Sequence, residues 1–141
     1  MLHDPRVAVD WPVPTEAVEF WRACAEHRLL LAHCDRCGAT FHHQRVLCPT
    51  CGAPDPGWVE SSGRGVVFSH TTVHTPFYGS TWDDEVPYVV VLVDLDEGPR
   101  MLSRLVGDDA GLRGGAAVRV AYRRIGERVY PFFALDSEPS P

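Results

Sequence analysis

Cys34-Asp35-Arg36-Cys37-Gly38 and Cys48-Pro49-Thr50-Cys51-Gly52, separated by ten residues, are the segments on which the reading of this chain turns. Two Cys-x-x-Cys pairs this close can set four thiolates at the corners of a tetrahedron around one metal ion. The glycine after each pair fits a knuckle whose turn carries the backbone into positive φ. Cys34, Cys37, Cys48 and Cys51 are therefore read as the ligands of one structural metal. Zn²⁺ is the default for four thiolates, and iron suits the same geometry. A filled shell has no open position, so the site should hold the fold and not perform chemistry. The competing readings are redox dithiols or disulfides. Residues 1–14 lack a basic region followed by an apolar core, so no secretory leader is expected. A reducing, cytoplasmic compartment then argues against disulfides. The fifth cysteine, Cys24, lies in a helical pattern and reads as a small buried hydrophobe.

Outward from the knuckles, the elements follow from periodicity. Thr15 is a candidate N-cap, with Glu16 and Glu19 in the first turns, where the helix dipole favours acids. Ala17, Val18, Trp21, Cys24 and Ala25 form one apolar face of a helix ending near His27 or Arg28. Leu29–His33 is a short strand entering the first knuckle, and 39–41 and 45–47 are the arms between knuckles. After Trp58 come five apolar or alternating runs: 66–74, 88–95, 101–106, 117–125 and 129–135. Strands at this spacing fit a small closed or half-closed β-barrel. The boundaries expected are an arm and helix over 1–28, a metal ribbon over 29–58, a barrel over 59–135 and a disordered tail over 136–141. The ribbon is too small for its own core, and metal ligation supplies the missing stability.

Composition narrows the function. The chain has 141 residues and a formal charge of −6, and all 13 of its basic residues are arginine. Schiff-base and P-loop lysine chemistry are thereby excluded. No apolar run approaches the ~20 residues that span a bilayer. Filling the metal site takes the charge to about −8, because four thiolates outweigh one divalent ion. Residues 59–135 hold eight arginines against ten acids, a poor footprint for nucleic acid. No Gly-rich phosphate motif or nucleophile elbow is present. His70 and His74, four apart in a strand pattern, share a face, and a structural or partner-contact role is preferred to acid–base catalysis. Trp11 on the N-terminal arm either docks on a partner or packs on its own domain. The longest non-periodic stretch, 74–87, carries His74, Phe77, Tyr78 and Trp82 and is a candidate for insertion into a partner.

The order helix, four-cysteine ribbon, barrel resembles the domain-of-unknown-function-35 family. The residues carrying the likeness are Phe20-Trp21, Leu29–Leu31 before Cys34-x-x-Cys37-Gly38, Cys48-Pro49-x-Cys51-Gly52 and Trp58-Val59-Glu60. Ser62-Gly63-Arg64-Gly65-Val66-Val67, Ser69–His74, Pro87–Val90 and Leu95–Gly98 continue it. The resemblance covers roughly residues 15–135 and implies a mainly β chain with a rubredoxin-like zinc ribbon and a five-stranded OB-fold. It also implies a non-catalytic subunit beside an acyl-CoA enzyme: a thiolase-like enzyme, a retro-aldolase or a MaoC-like hydratase. Such partners serve lipid, steroid side-chain or polyketide-type acyl-CoA metabolism. The OB module is then expected to help complete the partner's acyl-CoA site. A CoA phosphate held by a basic side chain must meet arginine here, and Arg64, Arg100, Arg104 and Arg123 are the candidates. Arg64, between two glycines, sits where backbone can approach a ligand. One departure is His42-His43, where the family commonly carries Pro-Pro; the pair is expected to be solvated, since four thiolates complete the metal shell. The alternatives are a nucleic-acid-binding ribbon and OB-fold, or an electron-transfer protein with rubredoxin-like knuckles.

Overall fold

The computed structural model describes residues 12–75 and 83–136. Trp11, Phe77, Tyr78 and Trp82 lie outside them, as do most of the expected arm and tail. A short 3₁₀ turn, Thr15–Ala17, leads into helix α1, Val18–Ala25. Pro14, not Thr15, occupies the cap position of that turn, and neither helical segment has a side-chain cap bond. The buried face of α1 is Phe20, Ala23 and Cys24, rotated from the expected one. Val18 and Ala25 face solvent, because the bulkier Phe20 aligns with the barrel. The helix stops two residues early, where His27 takes φ 58° and the Arg28 N–H donates to the Ala23 carbonyl at 2.9 Å.

Strands β1 (Leu30–His33), β2 (Thr40–Phe41) and β3 (Gly57–Glu60) form the ribbon sheet in the order β2-β1-β3. β3 straddles the boundary expected after Trp58. It pairs antiparallel with β1 from Leu30↔Glu60 to His33↔Gly57, so Val59 and Glu60 belong to the ribbon sheet. The arm expected over 45–47 is not a strand; only a single bridge, Leu47↔Pro54, forms there.

The remaining strands are β4 (Arg64–Val73), β5 (Tyr88–Leu95), β6 (Arg100–Leu105), β7 (Ala117–Ile125) and β8 (Arg128–Leu135). They close into a barrel in the order β4-β5-β6-β8-β7, with β6 and β8 parallel. This is a five-stranded Greek-key barrel of the OB type. Closure abolishes the sheet edges that would otherwise invite aggregation. Closure also explains Gly65, whose backbone pairs with Leu95 of β5 on one side and Val118 of β7 on the other. The glycines around Arg64 let the chain pack closely on neighbouring strands, Gly63 against Val120 and Gly65 against Val93 and Asp94.

Helix, ribbon and barrel share one core. Phe20, Cys24, Leu29 and Leu31 pack in the same cluster as Val67, Val91, Val93, Val118 and Phe133. The ribbon contributes apolar surface to a core that it could not form alone. Phe68 is 52% exposed. Its side chain follows the alternation of β4, in which Gly65 and Val67 face the core while Arg64, Val66 and Phe68 face out, and the register shifts between Val67 and Ser69. Glu97 ties the linker between ribbon and barrel: it accepts from the Ser61 hydroxyl at 2.7 Å and the Ser62 N–H at 2.8 Å.

Candidate functional site

Two sites stand out: a cysteine cluster at the tip of the ribbon, and a cleft where helix, ribbon and barrel meet. The two knuckles are built alike. In each, the first cysteine's N–H donates to the carbonyl five residues on, Cys34 to Ala39 and Cys48 to Ala53, at 2.8 and 2.9 Å. In each, the glycine N–H returns to the first cysteine's carbonyl, from Gly38 and from Gly52. Gly38 and Gly52 hold φ of 78° and 77°, the left-handed region that a side chain disfavours.

The four sulfurs all lie within 4.8 Å of one another. Cys34 and Cys51 are 3.7 Å apart, as are Cys37 and Cys48. A tetrahedron with metal–sulfur bonds of about 2.3 Å has edges of about 3.8 Å, so the donor set fits Zn²⁺. The Cys51 and Thr50 N–H groups aim at Cys48 and lower its thiol, favouring the thiolate that a metal needs, while among the clustered sulfurs Cys37 is raised. Cys34 and Cys48 are buried, while Cys37 and Cys51 reach the surface. His42 and His43 are not part of this cluster.

The cleft holds about 380 Å³ and runs between α1, the loop joining the knuckles, and strands β5, β6 and β8. Its aromatic walls are Phe20, Trp21, His42, Trp58, Tyr88 and Tyr130. Trp21 meets Tyr130 edge-on at 5.7 Å, and Phe20 lies 5.3 Å from His42. His42 is thus packed in the wall and not solvated as expected. Burial and the neighbouring His43 push its pKa down to about 4, so the ring is neutral at physiological pH. Residue periodicity did not reveal the cleft, because its walls come from separate segments that only the fold brings together.

Of the four candidate arginines, two converge. Arg104, 13% exposed, donates from Nη2 to Glu85 Oε2 at 2.9 Å, and Arg123 donates to the other carboxylate oxygen at 3.1 Å. Hydrogen bonding from Arg104 outweighs burial and holds the Glu85 carboxyl below its ordinary value. The Arg104 guanidinium also lies 5.2 Å from the Tyr88 ring centroid. Arg64 pairs instead with Asp136 at 3.4 Å. Arg100 pairs with Asp94 at 2.7 Å and stacks 3.4 Å over Phe68. His70 and His74 are both exposed, and His74 lies one residue past the end of β4.

A four-cysteine zinc ribbon fused through a common core to an OB barrel defines the class. Family models for the ChsH2 rubredoxin-like zinc ribbon domain and the ChsH2 C-terminal OB-fold domain match residues 21–57 and 58–123. A DUF35 domain-containing scaffold protein of Methanothermobacter thermautotrophicus is 33% identical over 118 residues, 80% of this chain and 86% of that protein. The chain belongs to the DUF35 family. A probable enoyl-CoA hydratase alpha subunit of Thermomonospora curvata is 39% identical over 89 residues, 62% of this chain. The match spans only 27% of that longer protein. Among solved structures, the Ltp2-ChsH2(DUF35) aldolase matches with a TM-score of 0.79 at 30% identity, over 89% of this chain and 98% of that one. No helix among the described residues is long and apolar enough to cross a membrane.

Proposed function

We propose that this chain is a non-catalytic accessory subunit of a cytoplasmic acyl-CoA enzyme complex, with an aldolase, thiolase-like or hydratase-like partner. The carrying observation is its likeness, over nearly the full length of both chains, to a chain of the Ltp2-ChsH2(DUF35) aldolase. The metal centre is structural zinc, because four thiolates leave no position for substrate. The outer face of β4–β6 is the docking surface. Val66, Phe68 and Leu102 are 41%, 52% and 65% exposed there, and Leu102 stands beside Leu92 in the register. An apolar surface of this kind marks an interaction site. The barrel helps complete the partner's acyl-CoA site, and Arg100 at the rim of this face is the arginine best placed to meet a CoA phosphate there.

A nucleic-acid groove would present guanidiniums in series to solvent. Arg64, Arg100, Arg104 and Arg123 each carry a carboxylate within 3.4 Å instead. Co-expression with an acyl-CoA aldolase, thiolase or hydratase from the same genome tests the reading. The two chains should co-purify, and Leu102→Arg should abolish co-purification while leaving the barrel folded. A complex that survives Leu102→Arg overturns the docking face. Turnover of acyl-CoA thioesters by this chain alone overturns the non-catalytic role.

A further inference from the structure

We propose that the aromatic cleft is a binding site for an apolar carboxylate, and that Glu85 occupies the carboxylate position in the free chain. The cleft shares Leu102 with the proposed docking face, but the proposal asks nothing of a partner enzyme and its test is made on this chain alone. Its first support is the shape and lining of the cleft. About 380 Å³ is bounded largely by aromatic and aliphatic side chains, which suits a chain or ring of apolar atoms.

The second support is the charge at its rim. Arg104 lines the cleft with a side chain only 13% exposed. A guanidinium so far withdrawn from water requires an anion or equivalent acceptors. The two oxygens of Glu85 are shared between two arginines, one to Arg104 on β6 and one to Arg123 on β7. Each guanidinium donates through a single Nη2 to a different oxygen, so one carboxylate is held by two charge-assisted bonds.

The third support is where Glu85 comes from. It is delivered by a short 3₁₀ turn, Asp83–Glu85, that precedes β5 and is not a rung of the barrel ladder. A turn can withdraw a side chain with little disturbance to the strands it joins. A ligand carboxylate arriving with an apolar body in the cleft gains the aromatic contacts that Glu85 lacks, and so displaces it.

Calorimetric titration of the zinc-loaded full chain with decanoate, and with decanol as its neutral counterpart, tests this. Decanoate should bind at least tenfold more tightly than decanol. Glu85→Gln weakens the internal competitor and should tighten decanoate about fivefold without altering decanol. Arg123→Gln, at a position 44% exposed and therefore safe for folding, should weaken decanoate several-fold. Equal affinity for decanoate and decanol, no binding of either, or unchanged decanoate affinity in Glu85→Gln overturns the proposal.

Discussion

Gly65 packs so closely against β5 that a Cβ at position 65 would lie 2.4 Å from the Asp94 carbonyl oxygen and 2.8 Å from a Val93 methyl. The first obstacle is backbone, which cannot rotate away as a side-chain tip can. Gly65→Ala should therefore cost about 1–3 kcal/mol, the usual range for overpacked core positions. Urea denaturation of the zinc-loaded chain reads it; a loss below about 0.5 kcal/mol would mean that β4 can shift freely.

Metal removal should open the thiols in a defined order. Cys24 is fully buried in the shared core, and burial pushes its thiol up to about 12. The other four cysteines lie at the ribbon tip and are protected by the ion. With a chelator and a chromogenic thiol reagent at neutral pH, four thiols should react first and Cys24 only after denaturant. Five thiols reacting together on chelation would show that the core opens with the ribbon.

His42 makes stability fall with acid. Its folded pKa of about 4 lies below its ordinary value of 6.5. The unfolded chain therefore binds the proton first. The stabilisation from keeping His42 neutral is full above pH 6.5 and is lost as pH falls towards 4, with an upper bound of about 3 kcal/mol. Metal loss adds its own acid dependence. The measurement is accordingly the difference between the native chain and His42→Phe at pH 7.5 and pH 4.5, which should narrow or reverse at the lower pH.

Glu97→Ala should loosen the joint between ribbon and barrel. It leaves the Ser62 N–H and the Ser61 hydroxyl without the carboxylate acceptor, at a cost of about 1–3 kcal/mol. Burial works against ionisation of Glu97, but the bonds from Ser62 and Ser61 prevail and hold its carboxyl below the ordinary value. Its contribution is therefore present above the ordinary carboxylate pKa and is lost as pH falls through the lowered one. Amide hydrogen exchange at Ser62 should quicken in the variant; unchanged protection there would remove Glu97 from the joint.

The metal centre was legible in the sequence because all its ligands lie within 18 consecutive residues, Cys34 to Cys51. Knuckle geometry is local: the turn, the glycine and the two sulfurs are set by five residues each. The barrel strands were legible for a related reason, since alternation along a strand reports its two faces without reference to its neighbours. Strand β3 was missed because four residues, Gly57–Glu60, carry too short a pattern; its existence depends on pairing with β1. Phe68 lies on the outer face by the same alternation that buries Gly65 and Val67, so its exposure follows from the strand pattern alone.

The sequence by itself determined what short-range chemistry controls: four thiolates around one metal, a helix before them, five barrel strands after them, and arginine as the sole basic side chain for any anion. Tertiary structure alone decided what depends on segments distant along the chain. It rotated α1 to bury Phe20, joined ribbon and barrel through one core, and turned the Gly65 region into a strand crossing. It also brought Arg104 and Arg123 onto Glu85 beside an aromatic cleft, from residues up to 38 positions apart. The reason is that barrel closure places residues by hydrogen-bond register, and which residues face each other across that register is fixed only when every strand has found its neighbours.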